Sequence, residues 1–356
     1  MELEKTSLEL DFRTTEAFKI LALSKKLKDK YETPLNIFVE ANEFINLITK
    51  NIKEMINYGE IDYWTLIFGY EGSGKSFISL ALLSELLNNK LNKIVANTIF
   101  LQNEYLKLIN YFIENNIKKE PIVIDDAHFV FGKYNFLTKE TAFLLELIRF
   151  IRDQQIIHIL NTQTPTQLFS DVWLERINNY VYTFREKIYH NNEFAGFIYY
   201  VCAWIDAKNI KNNIQLFRDV GNWKEILKFA PPDFITITNN IYNRYEIEYS
   251  LFKKVKQFYK RFLTFFRLRG YIKATEFEKF LEVIYLITEY LFYVDNDIKI
   301  LLLKKIKHLA ENDEDISKFI SINEENQEIL IDTKLNNIIF DFRDIIKERY
   351  RIFSRI

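Results

Sequence analysis

Residues 69–76 read Gly69-Tyr70-Glu71-Gly72-Ser73-Gly74-Lys75-Ser76 and fit the pattern G-x-x-x-x-G-K-[ST] without a mismatch. The pattern has a physical basis. Glycines let a loop wrap so closely that its backbone N–H groups point at an anion. A helix starting straight after the loop adds the positive end of its dipole. The reading requires a strand before the loop and a helix after it. Trp64-Thr65-Leu66-Ile67-Phe68 supplies the strand, and Ser76 to Leu87 has helical periodicity. Lys75 is then expected to reach the β- and γ-phosphates of ATP, and Ser76 to ligate Mg2+. The expected nucleotide-binding set runs from Gly69 to Phe77.

Outward from the loop, β-rich runs alternate with helical ones between about Asp62 and Ala203. Ile94 to Ile99 reads as a second strand, Glu104 to Glu114 as a helix and Pro121 to Asp125 as a third strand. Thr138 to Asp153 reads as a helix and Ile156 to Leu160 as a fourth strand. Asn179 to Phe184 is a fifth, continuing through Tyr189 into a hairpin around Asn191-Asn192, with Phe197 to Trp204 returning. Strands separated by helices imply parallel pairing. The expected fold class is α/β: a RecA-like P-loop NTPase core with a mainly parallel sheet and an edge hairpin, plus a helical C-terminal domain. Pro34 breaks a helical segment over 1–45. The core is expected over 46–232, with Pro231-Pro232 at its end, and the helical domain over 233–356.

The third strand ends in Ile124-Asp125-Asp126-Ala127-His128. An apolar strand ending in carboxylates beside a P-loop reads as a Walker B. Asp125 is the expected Mg2+ holder, with Ser76. Asp126 stands where a hydrolytic NTPase keeps the carboxylate that polarises water. His128 reads first as a structural histidine and second as a catalytic one.

The composition excludes several classes. Hydrophobic residues make up 48% and charged ones 27%, so the chain can bury a core. Net charge is −1, so any nucleic-acid surface must be local. A single cysteine, Cys202, permits no internal disulfide and no cysteine-based zinc site. The polar start is unlike a signal peptide, and no apolar run has the length to span a bilayer. The expectation is a soluble, cytoplasmic protein.

The fourth strand turns abruptly polar in His158-Ile159-Leu160-Asn161-Thr162-Gln163-Thr164-Pro165. Polar residues and proline mark ordinary turns. Ligands in open α/β sheets nevertheless bind at strand C-termini, so Gln163, with Asn161 close behind, is a candidate γ-phosphate sensor. The segment Arg152 to Pro165 resembles the FtsK/HerA group of DNA-pumping ATPases, including Zot-like and viral or plasmid ATPases. In that group the fourth core strand ends in Thr-Gln, with Pro two residues later. The resemblance covers roughly residues 61–186 and departs from the group at Asp126, where Glu is usual. It implies a homo-oligomeric ring, ATP at subunit interfaces, DNA as partner, and an arginine reaching the neighbour's γ-phosphate. Arg152 is favoured for that role, then Arg176, with Arg149 and Arg185 as further candidates.

Residues 253–269 hold seven Lys or Arg and no acid, with Phe258, Phe262, Phe265 and Phe266 at helical spacing. An amphipathic helix with a solvated basic face is the first reading, and a phosphate-contacting helix the second. The function expected is an ATP-hydrolysing motor acting on DNA in packaging, transfer or translocation. Two alternatives stay open: an AAA+-like remodelling or replication-initiation ATPase, with Arg244 or Arg261 as sensor arginine, or a slow nucleotide-gated scaffold.

Overall fold

The computed structural model describes residues 12–24, 34–59, 62–132, 139–190, 192–205, 210, 214–218, 220, 221–238, 244–267, 274–292, 295–323, 326 and 328–353. The chain divides into two compact units, Met1–Asn89 with Asn116–Glu246, and Lys90–Asn115 with Ile247–Ile356.

Among the described residues the strands are β1 (Tyr63–Gly69), β2 (Thr98–Ile99), β3 (Pro121–Ile124), β4 (Ile157–Thr162), β5 (Asn179–His190), β6 (Glu193–Trp204), β7 (Phe234–Ile237), β8 (Ile320–Asn323) and β9 (Glu328–Ile331). In the first unit the order across the sheet is β3-β4-β1-β5-β6-β7. β3, β4, β1 and β5 are parallel, β6 runs antiparallel to β5, and β7, antiparallel to β6, runs in the direction of the parallel set again. This is the RecA-like α/β architecture: a strand, β4, lies between the phosphate-loop strand and the acidic strand. All seven residues of β1 are buried, as a strand covered on both faces requires.

The register fixes which ends meet. Tyr63 lies beside Ile157 and Phe68 beside Thr162, so β1 and β4 end together. Gly69 lies beside Thr183, in the middle of β5. The first half of β5 is buried and the second half is largely exposed. β5 and β6 therefore leave the sheet as a two-stranded ribbon. Its turn includes Asn192, whose φ of 64° suits a tight hairpin turn. Asn191 lies outside the described residues. The only cysteine, Cys202, is buried on β6, and burial pushes its thiol well above the usual range.

Beneath β4, His158 stacks on Trp64 with ring centroids 3.8 Å apart and an interplanar angle of 9°. Burial pushes His158 down to about 3, with the nearby Arg176 charge adding to the effect against a hydrogen bond at the Ile156 backbone.

The second unit is mostly helical. Glu246–Arg267 buries Phe252, Val255, Phe258, Phe262 and Phe265, so these aromatics face a core, while the side chain of Phe266 lies outside the described residues. Ala274–Phe292, Asn296–Asn312 and Thr333–Phe353 are the other long helices, and the β8-β9 hairpin stands among them. Arg349 is fully buried. It donates to Glu104 at 2.7 Å and to the carbonyls of Val95 and Thr98, and the Tyr259 hydroxyl donates to the same carboxylate. Asp313 pairs with Lys279, and Glu311 with Lys307.

Ile94 to Ile99 differs from the strand expected. Leu91–Ala96 is a helix and only Thr98–Ile99 is extended. Ile94, Val95 and Ala96 are buried on the helix, and the Thr98 hydroxyl donates back to the Ile94 carbonyl at 2.7 Å. Burial here overrides β-propensity.

Candidate functional site

The phosphate loop leaves β1 at Gly69, whose φ is 146°. A Cβ there would fall 2.1 Å from the Thr183 carbonyl oxygen, so only glycine fits between the loop and β5. Gly72, at φ 73°, and Gly74, at φ 99°, are also left-handed, and Gly74 immediately precedes the helix Lys75–Leu86. Ser73 fastens the loop: its Oγ donates to the Tyr70 carbonyl at 2.6 Å and lies 2.6 Å from Thr183 Oγ1. Lys75 Nζ folds back and donates to the carbonyls of Gly69 and Tyr70, both at 2.8 Å. Tyr70, Glu71 and Gly72 are exposed, whereas Phe77 is buried.

Four side chains form a chain of bonds across three elements. Ser76 Oγ donates to Asp125 Oδ1 at 2.9 Å. Asn161 Nδ2 donates to the same oxygen at 2.8 Å. Ser79 Oγ donates to Asn161 Oδ1 at 2.7 Å, which turns the amide nitrogen toward Asp125. The end of β3, the end of β4 and the first helical turn after the loop thus meet at one carboxylate. A hydroxyl and a carboxylate are hard oxygen donors, and Mg2+ takes one or two carboxylates together with phosphate oxygens and water. Ser76 and Asp125 fit that ion. Among the described residues no group of three or more His, Cys, Asp or Glu gathers to hold a metal by itself.

Asp126 is half-buried and has a φ of 52°. Asp enters this left-handed region more readily than longer side chains, because its short polar group can bond locally. The backbone therefore supplies a reason for Asp where the resembling group has Glu. The corner is held by Phe129 N donating to the Asp126 carbonyl, and Ala127 N to the Asn161 carbonyl. His128 is lowered by burial, partly offset by the Asp126 charge, and its Nδ1 has no hydrogen-bond partner among the described residues.

Gln163 is exposed at the rim of the loop, where its carbonyl accepts from Gly69 N at 3.1 Å. The polar run around it is partly a capped turn. Thr162 Oγ1 donates to Gln167 Oε1 at 2.9 Å, and Thr164 with Gln167 forms a capping box over Pro165–Gln167. Asn161, not Gln163, is the residue of this run that reaches the acidic strand. Its role in orienting Asp125 was not visible in the sequence, because Ser79 and Asp125 are distant along the chain.

The arginines separate into two groups. Arg152 and Arg149 precede β4 and Arg176 precedes β5, so they stand at the strand beginnings, whereas the loop stands at the strand ends. Six residues of β4 place about 20 Å between those ends. Arg176 pairs with Asp62 at 3.7 Å, and burial lowers it, with Asp62 acting the other way. Arg185 is at the loop end, exposed, 4.3 Å over the Phe197 ring. Arg244 bonds Glu85 at 2.6 Å, at the far end of the loop helix, and Arg261 pairs with Asp341.

No family model matches the chain, and no curated protein does. Among solved structures it is similar to the N-terminal domain of zonular occludens toxin from Neisseria meningitidis, at 16% identity and TM-score 0.28, over 43% of this chain and 91% of that one. It is similar to the genome packaging NTPase B204 from Sulfolobus turreted icosahedral virus 2 with ATP-gammaS, at 18% identity and TM-score 0.27, over 37% and 78%. A DNA replication initiation factor aligns over 87% of this chain and 94% of that one, at 12% identity and TM-score 0.25. Strand order, the glycine-turned loop and the Ser76–Asp125 junction are the chain's own evidence, and they make the first unit a RecA-like P-loop NTPase fold.

Proposed function

We propose that this protein is an ATP-hydrolysing P-loop motor that acts on DNA as a homo-oligomeric ring. The observation that carries the reading is the junction of Ser76 and Asp125 beneath a loop whose lysine is held by its own carbonyls. Lys75 exchanges those two carbonyls for phosphate oxygens when ATP enters. Ser76 and Asp125 would hold Mg2+, which would supply positive charge to offset that of the phosphates. Asn161 fixes the Asp125 carboxylate through its Nδ2. Asp126 orients the attacking water, and Gln163, exposed beside Gly69, senses the γ-phosphate.

Arg152 and Arg149 stand exposed at the strand beginnings, a position that suits action in trans, whereas Arg176 is held by Asp62 and is mostly buried. About 20 Å of strand keeps Arg152 and Arg149 from their own loop, and a neighbouring copy would bring them to it. The DNA assignment rests on the resemblance of Arg152 to Pro165 to the DNA-pumping ATPases.

The test is ATP hydrolysis with and without double-stranded DNA, with Lys75→Ala as the blank. DNA stimulation that is lost in the variant and weakened by salt supports the motor. Hydrolysis indifferent to DNA at low salt overturns the DNA assignment and favours a remodelling ATPase. Tight ATP binding with negligible turnover in both conditions favours a nucleotide-gated scaffold.

A further inference from the structure

The ribbon formed by the outer halves of β5 and β6 has two chemically different faces. Cross-strand partners are Arg185 with Tyr199, Lys187 with Phe197 and, beyond an irregularity, Tyr189 with Phe194. Side chains alternate along a strand, so these six residues share one face. Ring contacts agree with this placement: Tyr189–Phe194 at 6.3 Å, Phe194–Phe197 at 5.1 Å and Phe197–Tyr199 at 6.4 Å. The face thus interleaves two cations with four aromatic rings and carries no acid. Tyr189 is 59% and Phe194 55% exposed, far more than rings that serve a core.

The acids of the ribbon, Glu186 and Glu193, fall on the other face. There the Glu186 carboxylate accepts from the backbone N–H groups of Glu16 (2.9 Å) and Ala17 (3.3 Å), at the start of the helix Glu16–Leu23. That face is packed at Glu186, whereas Tyr189 and Phe194 on the other face are exposed.

Exposed rings offer stacking platforms that accept any base, and cations between them meet the phosphates. Duplex DNA keeps its bases stacked on each other, so exposed rings gain little from it. We infer that the open face of the β5-β6 ribbon binds single-stranded nucleic acid, with Tyr189 and Phe194 stacking bases and Arg185 and Lys187 meeting phosphates. This deepens the proposed function and rests on its DNA assignment. The same strand that carries this face holds the phosphate loop at Thr183, two residues before Arg185. Strand binding and nucleotide state thus share β5.

The experiment is fluorescence anisotropy of the full chain with a labelled oligothymidylate longer than about 16 nucleotides, the upper site size of a single stacking fold, and with a duplex of equal length. Binding of a fluorescent ATP analogue serves as the folding control. The double variant Tyr189→Ala/Phe194→Ala is expected to weaken oligothymidylate binding at least about tenfold and to leave analogue binding unchanged. Tyr189→Phe/Phe194→Trp, which keeps the rings, should restore it. Lys187→Ala is expected to lower the slope of log affinity against log salt by about 0.7, the value for one phosphate of a single strand. Wild-type binding that both the alanine variants retain, with the slope unchanged, overturns the ribbon and leaves the DNA assignment standing. Losses confined to the duplex overturn the single-strand assignment. A wild type that binds neither form at low salt overturns the ribbon and the DNA assignment together.

Discussion

The Ser76 hydroxyl donates to Asp125 Oδ1 over 2.9 Å, and Asn161 Nδ2 reaches the same oxygen at 2.8 Å. Asp125→Asn keeps an oxygen for both bonds and removes the charge that a metal needs. Mg2+-dependent phosphate release is expected to fall at least about a hundredfold, with the thermal melting curve little changed. An unaltered rate would remove Asp125 from the metal site.

Asp126 separates backbone from chemistry. Its φ of 52° costs a non-glycine residue about 1 kcal/mol or more. Asp126→Gly should therefore leave stability equal or raise it by about 1 kcal/mol, while removing the carboxylate and slowing ATP turnover. Asp126→Glu should do the reverse to stability, because a longer side chain enters this region less readily. Urea unfolding beside a turnover assay reads both, and a Gly variant that turns over like the wild type would exclude a catalytic carboxylate.

His158 predicts an acid sensitivity whose sign is fixed by burial. Its folded value, pushed down to about 3, lies below the ordinary 6.5, so the unfolded chain binds the proton more readily. The stabilisation is fully present above pH 6.5 and is lost as pH falls toward about 3. Between pH 6.5 and 5 the loss from this one residue amounts to about 2 kcal/mol, at roughly 1.4 kcal/mol per unit. His158→Phe, which can keep the stack on Trp64, should flatten that part of the stability curve. An equal slope in the two proteins would sink the assignment.

In the second unit, Arg349→Met should destabilise by about 3–5 kcal/mol, because it strands the buried Glu104 carboxylate. Adding Glu104→Gln should recover part of the loss. If the two changes simply add in denaturant unfolding, the pair is not coupled.

Much of the first unit is legible in the sequence because its signals are local. The loop residues, the strand before them and the helix after them lie within one short stretch. The alternation of strands and helices then predicts a parallel sheet, which the structure contains. The hairpin after Phe184 is equally local, its turn marked by two asparagines. What the sequence does not show is long-range. Nothing in Thr183 announces that it presses on Gly69, or in Ser79 that it turns the Asn161 amide. The β-branched residues of Ile94 to Ile99 look like a strand because propensity is read without knowing what they pack against. The polar run after Leu160 divides between two jobs, a capped turn at Thr164 to Gln167 and a carboxylate contact at Asn161. Residue types alone do not distinguish them.

Cys202 is the only thiol in the chain, and it is sealed inside β6 with its proton held fast by burial. A buried protonated thiol reacts slowly with alkylating reagents. The native protein is therefore a nearly silent background for thiol labelling. A cysteine introduced at exposed Glu193 or Asn192 would take up a spin label or fluorophore almost alone. Motion of the ribbon could then be followed in real time through a nucleotide cycle, without first stripping the protein of its own sulfur chemistry.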